Sequence, residues 1–512
     1  MQPLRIFLVV AGLFACRQVT LEPGPIPTTT LAQDVPMSTP IIDLPDSRGG
    51  RVARELLGIL ERADDAEIRA FIERNTSPAM RALAPPDVTF PLWKRLAGQS
   101  GGFDIVAVEA LEADGVQLEL QARLVDRRVS LSLLPEAQEP FTEIHGRVSI
   151  AAHKSDPGKL PKVAMPEAEV AAAIARRAEQ LAATDRFSGV VLVLKGEREL
   201  VRSVQGHAEK SFAAPNRFDT KFNLGSMNKM FTAVAIAQLV EQGKLSFDDT
   251  VLAVLPDYPD PAFAGAAKIH HLLSHTSGIG GNIFAEEVYE HRDRFKDPAD
   301  YLPLIAGAAR DSQPGERFQY ANAGFIVAAL VIERLSGESY DDYLAKHVFA
   351  PAGMHDTASY AWDEVVPNLA VGYDCDPMDV LMTEPRRTNI TMLPYRGSPA
   401  GGGYSTVPDL QAFAAALRGH RLLGAAMTET VTEPRIAFSG FGKYGYGFLS
   451  YAIEGRDVRG HSGGHLGING VLQMFWDGSY TVIVLGNYGA GSAETLSAEI
   501  TDLLAAQGPS PI

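Results

Sequence analysis

The chain has 512 residues, 46% hydrophobic and 21% charged, which is ordinary for a folded globular protein and enough for two or three domains. Its formal net charge of -16 leaves no broad basic face for phosphate backbones, so nucleic acid is excluded as an expected partner. Two cysteines, Cys16 and Cys375, cannot build a disulfide framework.

Residues 1–16 read as an export segment. Arg5 supplies the positive end, and Ile6 to Ala15 is an apolar run too short to span a bilayer. It ends in Leu13-Phe14-Ala15-Cys16, which resembles a bacterial lipobox, although Phe14 is bulkier than the residue usual there. Two outcomes stay open: lipidation of Cys16 with membrane anchoring, or a plain signal peptide cleaved nearby. Either predicts an exported bacterial protein, periplasmic or held at the membrane as a lipoprotein. No later segment offers about 18 uncharged apolar residues. Residues 17–45 are rich in Pro and Thr, which is the chemistry of a stiff, solvated linker.

A small domain is predicted over residues 46–152. Val52, Leu56, Leu57, Ile59 and Leu60 recur at helical spacing. Asp64 with Glu67 suggests a capping box for a second helix, whose apolar face is Ile68, Phe71 and Ile72. The period then falls to two: Val116, Leu118, Leu120, Ala122 and Leu124 alternate with polar residues, and Val129, Leu131 and Leu133 continue the pattern. Asp114-Gly115 ahead of these runs marks a hairpin turn. Helices followed by an antiparallel meander resemble, in element order, the cone-shaped nuclear-transport-factor-2-like fold. The segment holds no catalytic constellation, so a structural or docking role is expected.

Residues 153–166 hold three prolines and a glycine and read as a linker. Residues 167–512 form the predicted main domain. A helix over Ala168 to Ala183 is followed by strands at Gly189–Leu194 and Glu199–Val204. Strands at Gly470–Trp476 and Tyr480–Gly486, joined at Asp477-Gly478, precede a last helix, Ala493 to Ala506. Sheet pieces at both ends of a mostly helical middle predict an α+β fold. One antiparallel sheet, closed by distant segments, is flanked by helices and carries a helical subdomain. Residues 284–311 and 361–398 are expected to shape a pocket mouth.

Three strings carry chemistry. The first is Gly225-Ser226-Met227-Asn228-Lys229, ahead of the helix-forming stretch Met230 to Gln242. Residues three apart share a helical face, so the Lys229 amine can reach the Ser226 hydroxyl. A serine hydroxyl needs such a base, and desolvation lowers a lysine pKa toward that role. The start of a helix also offers free amides to a developing oxyanion, that of Ser226 among them. The second string is Tyr320-Ala321-Asn322, after the Pro314-Gly315 turn. Two residues apart in an extended segment point to one side, so Tyr320 can pass protons to a leaving group while Asn322 holds Lys229 and the substrate. The third is His461-Ser462-Gly463-Gly464, on or beside a strand, where glycine lets backbone approach a ligand.

S-x-x-K, Y-x-N and H-x-G in this order resemble the class C β-lactamases and their penicillin-binding-protein, D-aminopeptidase and carboxylesterase relatives. His271 to Gly278, Gly401 to Leu410, Tyr444 to Phe448 and Leu485 to Tyr488 resemble further segments of that family. The resemblance implies Ser226 as acylated nucleophile, Lys229 and Tyr320 as the acid–base pair, and His461 in the catalytic set. It also implies the Ser226 and Gly464 amides as oxyanion hole, with Asn322, Ser462 and Gly463 at the substrate. No metal or organic cofactor is needed. His461 stands where class C β-lactamases carry lysine, and a neutral imidazole attracts carboxylates poorly. Ester or small-amide hydrolysis is therefore expected ahead of efficient β-lactam hydrolysis. A D-amino-acid peptidase or DD-carboxypeptidase acting on cell-wall peptides is the alternative, and a catalytically silent binding protein is the alternative of another class. The sequence carries no signal for oligomeric state.

Other patterns point elsewhere. Gly460 to Gly464 also fits G-x-S-x-G, which would make Ser462 a nucleophile, but the following segment reads as strand and no histidine occurs after His465. His271 and His275 have metal-ligand spacing without the following glutamate, and read as structural histidines. Asp374 and Asp376 flank Cys375 and disfavour its thiolate.

Overall fold

The computed structural model describes residues 43–75, 86–111, 114–125, 127–135, 142–149, 159–310, 312–376, 379, 381, 383–439, 442–489 and 491–508. The export segment with Cys16 and most of the Pro/Thr-rich stretch lie outside them. Two compact units emerge. One comprises the described residues of Arg17–Gly158 with Cys375–Arg387, the other those of Lys159–Asp374 with Thr388–Ile512.

The smaller unit runs α1 (Arg48–Arg62), α2 (Asp65–Asn75), α3 (Pro86–Ser100), then β1 (Phe103–Ala110), β2 (Val116–Ala122), β3 (Arg128–Pro135) and β4 (Thr142–Ser149). Its sheet is an antiparallel meander in the order β1-β2-β3-β4. The Asp64 side chain accepts from the amides of Ala66 and Glu67, both at 2.9 Å, and so caps α2. Asp114 takes the left-handed conformation at φ 59° in the β1–β2 turn, where aspartate is among the better-tolerated residues. The period-two runs place Val116, Leu118, Leu120 and Ala122 in the core against Leu56, Leu60 and Phe71. α3, β1 and β4 were not legible: Pro91 lies inside α3, and β1 is largely exposed on both faces.

Residues 375–387 fall within the stretch expected at a pocket mouth, yet they belong to the smaller unit. Leu381 is fully buried in that unit's core. Gln99 donates to Asp379 at 2.6 Å, Arg127 donates to the Leu381 carbonyl at 2.9 Å, and Arg95 pairs with Glu384. Burying one leucine contributes about 1.5–3 kcal/mol, and a single apolar residue in a polar loop gives no period by which to foresee it.

The larger unit is built on an eight-stranded antiparallel sheet. Its C-terminal strands are β7 (Ile436–Ser439), β8 (Gly442–Tyr444), β9 (Leu449–Ile453), β10 (Arg456–His465), β11 (Ile468–Phe475) and β12 (Tyr480–Gly486). β5 (Gly189–Lys195) pairs with β12 from Gly189↔Gly486 to Lys195↔Tyr480, and β6 (Arg198–Gln205) closes the edge. The distant ends of the domain therefore share one sheet, as the α+β reading requires.

Both faces of that sheet are covered. Alternate residues of β5 split between them: Val190, Leu192 and Leu194 face one core, Val191 and Val193 the other. The second core is sealed by α4 (Glu167–Ala183) and the C-terminal helix (Ser492–Ala505), through Val170, Ile174, Leu496 and Ile500. The first packs against the helical middle, including α5 (Asn228–Glu241), α6 (Asn322–Ser336) and α7 (Val407–Arg418). The C-terminal helix is α8.

Within the second core, Arg177 on α4 and Glu499 on α8 form a two-pronged ion pair at 2.8 and 3.0 Å, with side chains only 4% and 6% exposed. The Leu160 amide adds a bond to the same carboxylate at 3.2 Å. Arg177→Ala strands a buried charge and is expected to lower stability by about 3–5 kcal/mol. The paired replacement Arg177→Met with Glu499→Leu is expected to recover most of that loss. Chemical denaturation of the three proteins checks both statements.

Candidate active site

The nucleophile string forms a short 3-10 turn, Gly225–Met227, that runs directly into α5. Every residue of α5 from Asn228 to Ala237 is buried, so this helix is a core rod rather than an amphipathic surface helix. Ser226 is half-buried at its start, and Lys229, one turn on, is fully enclosed.

The Lys229 amine has three neighbours. Its Nζ lies 3.1 Å from Ser226 Oγ and 2.8 Å from Asn322 Oδ1, and it donates to the Ala400 carbonyl. Two of the three are carbonyl oxygens that can only accept. A neutral amine has two N–H groups for them, which leaves its lone pair for the Ser226 hydroxyl. Burial drives Lys229 toward this neutral form, holding its pKa well below the ordinary 10.5. The Nζ also lies 4.9 Å from the Tyr320 ring centroid.

Burial pushes the Tyr320 pKa far above the ordinary 10, and the neighbouring Ser226 side chain offsets this only in part. Tyr320 as a whole keeps 39% of its surface open, so it borders the accessible side of the site. A phenol of this kind stays protonated and donates. Asn322 is not in an extended segment: it is the first residue of α6, preceded by Ala321 in extended conformation. It reaches Lys229 because the helix starts beside α5, not through strand alternation.

The third element lies on β10. That strand pairs with β9 only as far as Leu449↔Gly460, and residues 461–465 extend beyond it. A Cβ at Gly463 would stand 1.9 Å from the Leu224 carbonyl and 2.8 Å from the Ser226 amide. Glycine there brings the strand directly onto the nucleophile turn. The Gly464 amide nitrogen lies 3.0 Å from where a Gly225 Cβ would sit, and Gly464 itself is exposed. The amide nitrogens of Ser226 and Gly464 thus both lie where β10 meets the nucleophile turn.

His461 is buried. Its Nδ1 faces the Ser462 carbonyl, which only accepts, so Nδ1 carries the proton and Nε2 accepts from the Tyr444 hydroxyl at 2.9 Å. Burial first and the neighbouring Lys229 second lower its pKa to about 3. Ser462 points the other way, because side chains alternate along a strand. It shares its face with Val471 and Val484, and Val484 lies in the core sealed by α8 on the far side of the sheet. The expected substrate contact through the Ser462 hydroxyl is corrected accordingly, and its place on a strand rather than at a strand-to-helix turn removes the nucleophile-elbow reading too.

Three contributors were missed in the sequence. Tyr444 lies in the family-like segment Tyr444 to Phe448, in which nothing local reveals His461 as its partner. The Ala400 carbonyl is backbone, and the neighbouring Gly401 to Gly403 run was its only signal. His275, read as structural, is fully buried, stacks on Tyr320 with ring centroids 4.0 Å apart, and accepts from the Ala321 amide at 3.0 Å.

The model of the Beta-lactamase family matches residues 174–507. The chain belongs to the beta-lactamase family. It is similar to penicillin-binding protein 4* of Bacillus subtilis (strain 168), 32% identical over 322 residues that cover 60% of this chain and 70% of that protein. It also resembles esterase EstB of Burkholderia gladioli, 33% identical over 185 residues, 33% of this chain and 47% of the esterase. A penicillin-binding protein structure from Bacillus halodurans superposes with a TM-score of 0.56 at 31% identity, covering 64% of this chain and 98% of that one. In this beta-lactamase-family chain, all three motif strings lie inside the matched region, and of the smaller unit only Cys375–Arg387 falls within it.

Proposed function

We propose that this serine hydrolase cleaves carboxylic esters and small neutral amides through an acyl-enzyme on Ser226. The observation that carries the reading is the Lys229 amine, saturated by two carbonyl acceptors and left with its lone pair toward Ser226 Oγ at 3.1 Å. Ser226 Oγ attacks the substrate carbonyl carbon as its proton passes to Lys229 Nζ. The carbonyl electron pair moves onto oxygen, and the Ser226 and Gly464 amides hold that oxyanion. As the tetrahedral centre collapses, the bond to the leaving group breaks, Tyr320 supplies its proton, and the proton on Lys229 restores the phenol. Water then enters in the leaving group's place, and the same groups release the acid. Asn322 holds the amine, and His461 with Tyr444 forms a neutral wall.

That wall favours uncharged substrates. His461 gains charge only below about pH 3, so between pH 5 and 8 it offers no cation to a carboxylate. The ratio of kcat/KM for a carboxylate-bearing ester to that for its methyl ester is therefore expected to stay flat from pH 5 to 8. Lys229 titration cancels in this ratio. A rise as pH falls through the ordinary histidine range would show that His461 does titrate there.

A panel tests the substrate class: p-nitrophenyl acetate and butyrate, nitrocefin, and a D-alanyl-D-alanine peptide. Ester turnover at least about tenfold above both others in kcat/KM supports the proposal. Preferential peptide turnover would transfer it to the D-amino-acid peptidase reading, which the resemblance to penicillin-binding proteins supports. We also propose export, on the strength of Arg5, the apolar run to Ala15 and Cys16. Mass spectrometry of the mature amino terminus distinguishes a lipidated Cys16 from an unmodified terminus.

A further inference from the structure

Three glycines meet where β10 passes the nucleophile: Gly463 and Gly464 on β10, and Gly470 opposite Gly463 on β11. The close approach requires glycine at 463, because a Cβ there would strike the Leu224 carbonyl and the Ser226 amide. Glycine also removes the restraint that side chains place on backbone angles. The ladder ends nearby, one pair past Gly464↔Asn469, at His465↔Ile468. The Gly463–Gly464 peptide plane sits between two of the last ladder pairs, Gly463↔Gly470 and Gly464↔Asn469, so β11 already holds it from one side and a further bond to the same plane tightens its aim.

Asn469 supplies a hold. It is fully buried, and its Nδ2 donates to the Gly463 carbonyl at 3.2 Å. Its Oδ1 accepts from the Glu494 amide at 2.8 Å, in the first turn of α8. The partners fix the amide's orientation, since a flipped amide would set oxygen against oxygen and N–H against N–H. The carbonyl of Gly463 and the N–H of Gly464 belong to one planar trans peptide and point in opposite directions. Whatever holds that carbonyl therefore aims that N–H.

We infer that Asn469, anchored on the start of α8, is a positioning residue that aims the Gly464 amide at the transition-state oxyanion. The inference rests on the acyl-enzyme reading above and names a residue outside the three motif strings. Asn469 touches no reacting atom. It acts through one peptide plane, so its loss should weaken transition-state binding and leave substrate binding nearly unchanged.

The test uses the full chain with two replacements. Asn469→Asp keeps the shape and the acceptor for the Glu494 amide but removes the donor to Gly463. Asn469→Ala removes both. A phenylboronic acid that forms a tetrahedral adduct on Ser226 probes the oxyanion hole, and an ester substrate gives kcat and KM. For a folded variant, the expected result is a fall of about 10- to 100-fold in both kcat and boronic-acid affinity, with KM within about twofold. If Asn469→Ala does not fold, the isosteric variant carries the test. A folded Asn469→Asp with wild-type kcat and boronic-acid affinity overturns the inference while the acyl-enzyme reading stands. A rise in KM alone, with unchanged boronic-acid affinity, also overturns it. Wild-type protein that neither hydrolyses ester nor reacts with a fluorophosphonate at Ser226 ends both.

Discussion

Ser226→Ala is expected to abolish fluorophosphonate labelling and to lower ester turnover by on the order of 10⁵-fold or more. No other group in the site can replace the lost oxygen. The Lys229 amine is enclosed, and the phenol of Tyr320 stays protonated with a pKa raised far above 10. The two amides would survive the change and could still polarise a bound carbonyl, so a small residual rate above water is expected. Labelling of Ser226→Ala at wild-type intensity would remove the nucleophile assignment. The variant's fold should be unaffected, because Ser226 is only half-buried and loses one oxygen.

Lys229→Met is expected to lower the rate of Ser226 acylation by about 10³–10⁴-fold while leaving KM nearly unchanged. Methionine matches the length of the aliphatic stem but has no basic lone pair. Stopped-flow acylation by a p-nitrophenyl ester measures this directly, and equal rates would sink the assignment of the base. The same pair of proteins reports the lysine's titration through stability. Burial lowers the folded-state pKa of Lys229, whereas in the unfolded chain it returns to about 10.4. Between those two values the unfolded chain binds a proton that the folded chain does not. Stability then rises with pH through that window and is flat outside it. The unfolding free energy of wild type relative to Lys229→Met should therefore grow in favour of wild type as pH increases toward 10. A pH-independent difference would mean that Lys229 keeps its ordinary pKa when folded. The acid limb of kcat/KM should follow the same titration and disappear from the residual activity of the variant.

The sequence by itself determined the large-scale plan and the reactive pair. Gly189–Leu194 and Tyr480–Gly486 are short apolar runs bounded by turn residues, and such runs are buried strands wherever their partners lie. Serine and lysine three apart at a helix start are held within reach by helical geometry alone, and no tertiary contact is needed to predict it. Asp64 caps its helix because capping is settled within four residues.

Tertiary structure decided everything that depends on what lies opposite. Ser462 looked like a substrate contact until strand alternation turned its side chain to the face of the sheet that α8 covers. Leu381 completes a core distant from it in the chain. His461 is neutral because it is buried and because Tyr444 and its own neighbouring carbonyl occupy its two nitrogens. Lys229 becomes a base only because Ala400 and Asn322, 171 and 93 residues away, saturate its hydrogens in a dry core. Local patterns encode backbone geometry, whereas desolvation and the pairing of polar groups are properties of a surrounding that only the folded chain creates.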